Sequence, residues 1–348
     1  MELSGDGSVT AVDLFCGAGG LTHGLQQAGV NVVAGVDIDP DCDFPFSHNN
    51  SAKFHLRDIR TVGGEEIKKM WGESGSHRLL AGCAPCQPFS TLRKAGQKNA
   101  DLKWNLLSEF GRLVDETKPE FVTMENVPGL IRTEIFGKFV SRLIETGYRV
   151  DHRVVYLPDY GLPQHRKRLV LLASRIGEIH VPDGTHTSDQ YVTVKDVIRS
   201  IPPIPHGGRS RTDPMHRTQA LSELNLKRIR ASAPGGTWRD WPENLQLDCH
   251  KKDTGKYYAS VYGRMLWDSP SPTVTTQFYN YGTGRFGHPE QDRAISLREG
   301  AVLQGFPVNY AFAPHDDSFP INRIGRLIGN AVPPVLGRII GEKFLQSL

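Results

Sequence analysis

Residues 9–29 read VTAVDLFCGAGGLTHGLQQAG. The first seven residues are mostly apolar, as in a buried β-strand, and they lead into the glycine-rich turn GAGG at residues 17–20. After the turn, Leu21, Leu25 and Ala28 recur at the spacing of one helix face, which Gly29 ends. The stretch therefore predicts a strand, a glycine turn and a helix, the opening unit of an α/β fold.

The same alternation continues along the first half of the chain. Further strands are predicted over residues 30–36, 54–59, 79–82 and 121–124, and a helix over residues 106–117. Residues 153–157 and 169–173 are predicted to pair as a hairpin around a long loop. This order of elements is typical of a doubly wound, mostly parallel sheet.

The residue composition of the 348-residue chain changes beyond about Gly177, where proline and glycine become frequent and helical periodicity is poor. We predict a large catalytic and cofactor-binding domain over residues 1–185 and a smaller, irregular domain over residues 186–319. Residues 320–348 are expected to pack back on the first domain. Helices are predicted over residues 297–303 and 335–345.

The positive charge of the chain is concentrated in one segment. The net charge is +3, and residues 205–295 carry 13 Lys and Arg against 9 Asp and Glu. Aromatic residues are interleaved with these charges: Trp238, Trp241, Tyr257, Tyr258, Tyr262, Trp267, Tyr279 and Tyr281. Such a mixture suits a polyanion with readable bases, although a solvated and slightly basic surface is an equally good explanation.

Composition also predicts the compartment. Residues 1–10 lack the basic and apolar regions of a signal peptide, and no run of eighteen uncharged apolar residues occurs, so we expect a cytoplasmic protein. The five cysteines are an odd number spread thinly over the chain, which is unlike a secreted disulfide framework. Reduced thiols are expected.

Two of these cysteines lie in GCAPCQPFS, residues 82–90, directly after a predicted strand. A redox dithiol, a zinc site, a nucleophile and a buried structural cysteine are all compatible with this spacing. Zinc would need two further ligands, for which the chain offers isolated candidates such as Cys249-His250. We favour a nucleophilic Cys86, held between Pro85 and Gln87, with Cys83 as its neighbour on the strand, and we expect no metal.

The glycine turn has an acidic partner. Asp37 is the twentieth residue after Gly17 and ends the next predicted strand, where its carboxylate can accept two ribose hydroxyls. Asp58 also follows a predicted strand. A nucleoside-containing cofactor is therefore predicted. The turn lacks the third glycine of the dinucleotide fingerprint, which disfavours a nicotinamide cofactor.

Six motifs follow one another along the chain: DLFCGAGG at residues 13–20, PCQPFS at 85–90, ENV at 125–127, QHRKR at 164–168, REGAVLQGFP at 298–307 and GNAV at 329–332. They occur in the order found in DNA (cytosine-5)-methyltransferases, and the chain resembles a modification methylase of the bacterial type. The resemblance implies the class I S-adenosylmethionine-dependent methyltransferase fold with a target-recognition domain. It implies duplex DNA as the substrate, a monomer, and a possible restriction endonuclease acting on the same site without a stable complex.

The resemblance also implies catalytic roles. Cys86 would add to carbon 6 of cytosine, and Glu125 would contact ring nitrogen 3 and the exocyclic amine. Arg168 would hold the cytosine carbonyl oxygen, and Arg166 would brace the site. His165 is expected to be a variable spacer.

Positions for S-adenosylmethionine carry over from the same motifs. The implied cofactor residues are Phe15, Gly17, Ala18, Gly20, Asp37, Ile38, Asp58, Ile59, Pro85, Leu106, Asn330 and Ala331. The family often has glutamate at the ribose position, where this chain has the shorter Asp37.

DNA contacts are implied at fewer positions, namely Pro85, Gln87, Ser90, Asn126 and Thr273. Residues 90–98 are polar and cationic and resemble the loop that closes over DNA, while residues 273–276 resemble the threonine-containing turn of the recognition region. A base inside a duplex would have to rotate out of the stack to reach Cys86.

Two other functions compete with DNA methylation. A transfer RNA methyltransferase would share the chemistry, but the Cys-Phe-Thr insertion of such relatives is missing. A catalytically silent DNA-binding regulator would not need Cys86, Glu125 and Arg168 together, and no helix-turn-helix extension precedes Val9.

Overall fold

The computed structural model describes residues 8–73, 75–85, 100–252, 258–314 and 319–348, without the side chains of residues 100–105 and 251. The chain forms two compact units. The sheet unit comprises Met1–Leu157, Lys167–Gly184 and Val332–Leu348, and the second unit comprises Pro158–Arg166 and Thr185–Ala331. The sheet unit is thus built from three separate segments of the chain.

Seven strands form one sheet: β1 Val9–Leu14, β2 Asn31–Asp37, β3 Lys53–Leu56, β4 His77–Gly82, β5 Phe121–Asn126, β6 Arg149–Tyr156 and β7 Lys167–Ser174. Their order is β3-β2-β1-β4-β5-β7-β6. The first five strands are parallel, whereas β7 is antiparallel to both β5 and β6. The predicted mostly parallel sheet is therefore confirmed, as is the hairpin formed by β6 and β7.

Eleven α-helices are found among the described residues. Those of the sheet unit are α1 Gly20–Gln27, α2 Asp43–Asn49, α3 Gly64–Trp71, α4 Ala100–Thr117, α5 Glu134–Glu145 and α11 Pro334–Gln346. Those of the second unit are α6 Val194–Ile198, α7 Glu223–Arg230, α8 Asp248–Lys251, α9 Leu297–Leu303 and α10 Ile321–Asn330. Short 3-10 turns complete both units.

The core of the sheet unit is apolar. Every residue of β1 and β5 is buried, as expected for central parallel strands covered on both faces. Phe110 and Leu113 of α4 and Phe136 and Leu143 of α5 belong to the same apolar cluster as the central strands. Burial of this surface is the main term that holds the strand ends in place.

Helices α1 and α11 approach each other closely because glycine stands at their crossing. A Cβ atom at Gly24 would lie 2.0 Å from the carbonyl oxygen of Pro334, and one at Gly337 would lie 2.5 Å from that of Leu21. Any side chain at either position would force the helices apart.

The second unit has little regular structure, and buried arginines connect its loops. Arg264 donates to the carbonyl oxygens of Ile229, His288 and Gln291 and pairs with Asp292. Other buried arginines of this unit, namely Arg228, Arg293 and Arg298, also donate to backbone carbonyls. These side chains satisfy carbonyl groups that a strand ladder would otherwise satisfy.

Three arginines of the basic segment lie in the interior of the second unit. Arg228, Arg264 and Arg293 are 6%, 5% and 0% exposed. Several of the interleaved aromatic residues are buried too: Trp238, Trp241, Tyr279 and Tyr281. Other cations of the segment, such as Arg209, Arg230 and Arg239, are exposed, so the segment contributes charge both to the interior and to the surface.

Other expectations differ from the structure in detail. Helix α9 has the predicted bounds, whereas α4 begins at Ala100 rather than at residue 106. The sequence pattern does not predict the other helices, which are α2, α3, α5, α6, α7, α8 and α10. The predicted boundary at residue 185 lies beside the start of the second unit at Thr185, but contacts within the fold also group Pro158–Arg166 and residues 320–331 with that unit.

Candidate active site

The side chains of Cys83, Glu125 and Arg168 meet at one edge of the sheet. The register pairs Leu14 with Gly82 and Gly82 with Met124, so the carboxyl ends of β1, β4 and β5 lie side by side. Because β7 runs in the opposite direction, its beginning reaches the same edge, where Asn126 pairs with Leu169. This edge is where open α/β sheets bind ligands.

Glu125 lies at the centre of this edge and is 3% exposed. The thiol of Cys83 donates to its Oε2 at 2.8 Å, and Arg168 Nε lies 2.8 Å from its Oε1. The Arg168 contact is an ion pair without hydrogen-bond geometry, and Oε1 is buried with no hydrogen-bond donor among the described residues. Oε1 therefore has unused capacity to accept a hydrogen bond, and buried acceptors are rarely left in that state.

Cys83 is held as a thiol at this position. Burial, together with the neighbouring charge of Glu125, raises the pKa of the Cys83 thiol well above its usual value, against the smaller opposing effect of Arg168. A thiol of raised pKa is a poor nucleophile, since the thiolate is the reactive form. The contact with Glu125 therefore makes Cys83 a hydrogen-bond donor.

Asn126, the last residue of β5, ties the strand to the segment that follows β4. Its Nδ2 donates to the carbonyl oxygen of Ala84 at 2.8 Å, and its Oδ1 accepts from the backbone N–H of Val127 at 2.8 Å. The backbone N–H of Cys83 donates to the carbonyl oxygen of Leu14 at 3.2 Å. The chain is thus anchored on two neighbouring strands up to the exposed Pro85.

Cys86, Gln87 and Ser90 lie outside the described residues, as does the rest of the predicted loop over residues 90–98. Their roles stay predictions.

The glycine turn after β1 is closed by Asp37. Phe15, Gly17 and Gly19 have positive φ angles of 58°, 54° and 86°. Oδ2 of Asp37 accepts from the backbone N–H of Gly17 at 2.9 Å, and Oδ1 accepts from that of Asp39 at 2.9 Å. Burial raises the pKa of Asp37 above its usual value, while these two backbone bonds oppose the shift.

The space beside this turn fits a nucleoside. A Cβ atom at Gly17 would meet no atom of the described residues within 4 Å, so none of them covers the backbone there. Ile38, which follows Asp37, is 63% exposed, an apolar surface at the end of β2 that an adenine ring would cover. Each carboxylate oxygen of Asp37 keeps a lone pair for a ribose hydroxyl.

The other predicted cofactor residues of the sheet unit lie around this turn or in the core. Ala18 is 2% exposed and Gly20 begins α1. Ile59 is buried, and the half-buried Leu106 packs against the apolar cluster. Asp58 is engaged by Arg60, whose guanidinium contacts both of its oxygens, which lowers the pKa of Asp58.

Sequence reasoning missed the buried carboxyl group of Asp13. Its Oδ2 accepts from the Thr22 hydroxyl at 2.7 Å, and its Oδ1 has no hydrogen-bond partner among the described residues. Burial raises the pKa of Asp13 to about 7, which the bond from Thr22 only partly opposes. A polar residue within an otherwise apolar strand was the available signal.

In the second unit, Gln164 begins the QHRKR motif and is fully buried. Its Nε2 donates to the carbonyl oxygen of Leu303 at 3.1 Å and to Oε1 of Gln304 at 2.8 Å. Its Oε1 accepts from the backbone N–H of Val274 at 2.9 Å and from Arg166 Nη1 at 3.2 Å. The amide therefore joins three separate loops.

Arg166 continues the same network. Nη1 donates to the carbonyl oxygen of Val274 at 3.2 Å and Nη2 to that of Gly329 at 3.4 Å. Ala331, whose carbonyl oxygen accepts from Gln304 Nε2 at 2.7 Å, follows the exposed Asn330 at the end of α10. The hydroxyl of Thr273 donates to the carbonyl oxygen of His165 at 2.5 Å.

The strand order with one antiparallel β7, the glycine turn and its acidic partner define the class of S-adenosylmethionine-dependent methyltransferases. The chain belongs to the family of C-5 cytosine-specific DNA methylases, whose model matches residues 9–346. It is a DNA (cytosine-5)-methyltransferase that uses S-adenosylmethionine.

Relatives match nearly the full length. The chain is 49% identical over 343 residues to the type II methylase M.HgiDII of Herpetosiphon aurantiacus, which covers 97% of this chain and 96% of the relative. It is 33% identical over 349 residues to the type II methyltransferase M1.HphI of Haemophilus parahaemolyticus, and this match covers 97% of this chain and 87% of the relative.

Solved structures agree on the fold. A DNA modification methyltransferase encoded within an E. coli prophage has a TM-score of 0.71 at 22% identity and covers 98% of this chain and 99% of its own. A DNMT2 mutant of Spodoptera frugiperda has a TM-score of 0.62 at 18% identity, covering 97% and 100%. In the part of the chain that the structure describes, no helix has the length and apolarity needed to cross a membrane.

Proposed function

We propose that this protein methylates carbon 5 of cytosine within a specific duplex DNA sequence, by covalent addition of Cys86 to carbon 6 of a base rotated out of the helix. The observation that carries the proposal is the buried Glu125, whose Oε1 lies beside the cation of Arg168 and has no hydrogen-bond donor among the described residues. A cytosine presents an exocyclic amine that would supply the missing donor. Its carbonyl oxygen would suit the arginine.

The chemistry requires these groups because carbon 5 of cytosine is a weak nucleophile. Addition of the Cys86 thiolate to carbon 6 places negative charge on the ring, and Glu125 shares a proton with ring nitrogen 3 as that charge develops. Arg168 balances charge at the carbonyl oxygen. The activated carbon 5 would then take the methyl group, after which loss of its proton to a base or water would restore the 5,6 double bond and expel the Cys86 thiolate.

S-adenosylmethionine would supply an electrophilic methyl group. Asp37 would hold its ribose, Ile38 would cover one face of its adenine, and the open backbone at Gly17 would admit its polar chain. Phe15, Ala18, Gly20, Asp58, Ile59, Pro85, Leu106, Asn330 and Ala331 are proposed as further contacts. Arg166 is proposed to hold the QHRKR motif in place through its bonds within the second unit.

The biological setting belongs to the same proposal. The 49% identity to a type II methylase supports a role as the modification partner of a restriction endonuclease, or as an orphan methylase, acting on the nucleoid in the bacterial cytoplasm. A monomer is proposed, with the endonuclease acting on the same sequence independently. Pro85, Gln87, Ser90, Asn126 and Thr273 are proposed DNA contacts.

A transfer assay tests the proposal. The protein is incubated with radiolabelled methyl donor and either duplex DNA of mixed sequence or transfer RNA, and the labelled base is identified. Label in 5-methylcytosine of DNA is expected. Label in transfer RNA alone would support the RNA methyltransferase, and binding of DNA without label would support the silent regulator.

A trapping experiment tests the covalent step. Duplex DNA with 5-fluorocytosine at the methylated site is expected to form a denaturation-resistant complex, because fluorine cannot leave as a proton. The Cys86→Ser variant should bind DNA without transferring label or forming the complex. A methylatable sequence that never traps the enzyme would contradict attack at carbon 6.

A further inference from the structure

Cys83 makes a contact that the reaction as described does not use. Its thiol donates to Oε2 of Glu125 at 2.8 Å, on the side of the carboxylate away from Arg168. The carboxylate is buried, so the Cys83 thiol provides the hydrogen bond that water would donate to Oε2 at the surface. Among the described residues, Cys83 is the one whose thiol contacts Glu125.

We propose that Cys83 is a positioning residue for the reaction: its thiol fixes the rotation of the Glu125 carboxylate so that Oε1 is presented to cytosine. The inference rests on the proposed role of Glu125. A carboxylate rotates easily about its last bond, since that torsion is broad. Because Oε2 accepts a hydrogen bond from Cys83 and Oε1 lies beside the Arg168 cation, the two oxygens have different partners and one rotation of the carboxylate is favoured.

The backbone holds Cys83 in register for this task. Its N–H donates to the carbonyl oxygen of Leu14 at 3.2 Å, and the next carbonyl, that of Ala84, accepts from Asn126 at 2.8 Å. Asn126 directly follows Glu125 in β5. Glu125 is therefore held within β5, and Cys83, the first residue after β4, is held by backbone bonds to the ends of the neighbouring strands β1 and β5.

The state of the thiol fits donation rather than attack. Burial and the charge of Glu125 raise the pKa of Cys83, so the proton stays on sulfur at neutral pH. Serine at this position would also donate to Oε2, whereas alanine would leave it without a donor. The two substitutions separate hydrogen bonding from packing.

The experiment compares Cys83→Ala and Cys83→Ser with wild type in steady-state methylation of duplex DNA. We expect Cys83→Ala to lower kcat about tenfold, equivalent to about 1.4 kcal/mol of transition-state stabilisation, with KM for the methyl donor unchanged. Cys83→Ser should restore kcat to within about threefold of wild type. Cys249→Ala, which removes an exposed thiol of the second unit, is the matched control and should leave kcat unchanged.

Melting temperatures distinguish positioning from packing. Both substitutions change the volume of the side chain, but serine keeps a donor for Oε2, so kcat should be restored in Cys83→Ser whether or not its melting temperature equals that of wild type. Equal kcat in all three proteins would overturn the proposal. So would a kcat that follows the melting temperature across the three proteins, which indicates packing alone.

The proposed function and this inference fail in different ways. If wild-type protein transfers no label to DNA, the proposed function is wrong. If wild type is active and Cys83→Ala matches it, only the role of Cys83 is wrong.

Discussion

The two units of this methyltransferase use their buried charged side chains differently. In the sheet unit an apolar core holds the strands, and the buried charges Glu125 and Asp13 each keep an oxygen without a hydrogen-bond donor among the described residues. In the second unit, buried arginines are themselves the framework, and Glu299 is fully paired. Among these carboxylates, the one with an unsatisfied oxygen at the sheet edge, Glu125, belongs to the proposed site, whereas the paired Glu299 belongs to the framework.

Glu125→Gln gives the largest effect expected from this contrast. The amide keeps the size of the side chain but loses the charge and the proton that the reaction uses, so kcat should fall about 1000-fold. The change is measured by initial rates of methyl transfer to duplex DNA. Glu134→Gln, which alters an exposed pair with Lys138 in α5, is the control and should keep full activity. A kcat within threefold of wild type would remove Glu125 from the chemistry.

Glu299→Ala tests the framework of the second unit. Arg293, with no exposed surface, would lose both bonds of its paired carboxylate, so the free energy of unfolding should fall by about 3 kcal/mol. Urea denaturation followed by tryptophan fluorescence measures this, since Trp238, Trp241 and Trp267 lie in this unit. A loss below about 1 kcal/mol would contradict the role assigned to the pair.

The same pair predicts a dependence on acid. Burial alone would favour the neutral form, but the bonds from Arg293 prevail and lower the pKa of Glu299. Its stabilising contribution is therefore complete above the pKa of the unfolded chain and is lost as the pH falls through the lower folded value. The difference between wild type and Glu299→Ala should shrink in that acidic window.

Asp13→Asn gives the smallest effect and the opposite sign. Because the pKa of Asp13 is raised to about 7, wild type loses stability as the pH rises from the unfolded value of 3.8 towards 7, and the asparagine variant does not. The unfolding free energy of the variant relative to wild type should increase by about 2 kcal/mol between pH 5 and pH 8. Asp43→Asn, on the exposed face of α2, should show no such change. An equal difference at both pH values would contradict the burial of charge at Asp13.

How much the sequence could predict also differs between the units. The strands, the turn at Gly17 and its partner Asp37 follow from local pattern, because each depends on residues that are close in the chain or repeat at a fixed interval. The contact of Cys83 with Glu125 depends on the register between β4 and β5, which no local pattern encodes. The burial of Arg228, Arg264 and Arg293 could not be predicted for a related reason, since charge in a sequence carries no record of burial.

The crossing of α1 and α11 has a consequence for how the chain comes to be folded. Gly24 lies in a helix that ends at Gln27, and its partner helix begins at Pro334. During synthesis, α1 emerges from the ribosome long before the helix that covers it, whereas residues 185–331 of the second unit emerge as one continuous stretch. The packing of α1, the helix that follows the glycine turn, would thus be completed only after α11 has emerged, although the turn itself can close earlier through Asp37.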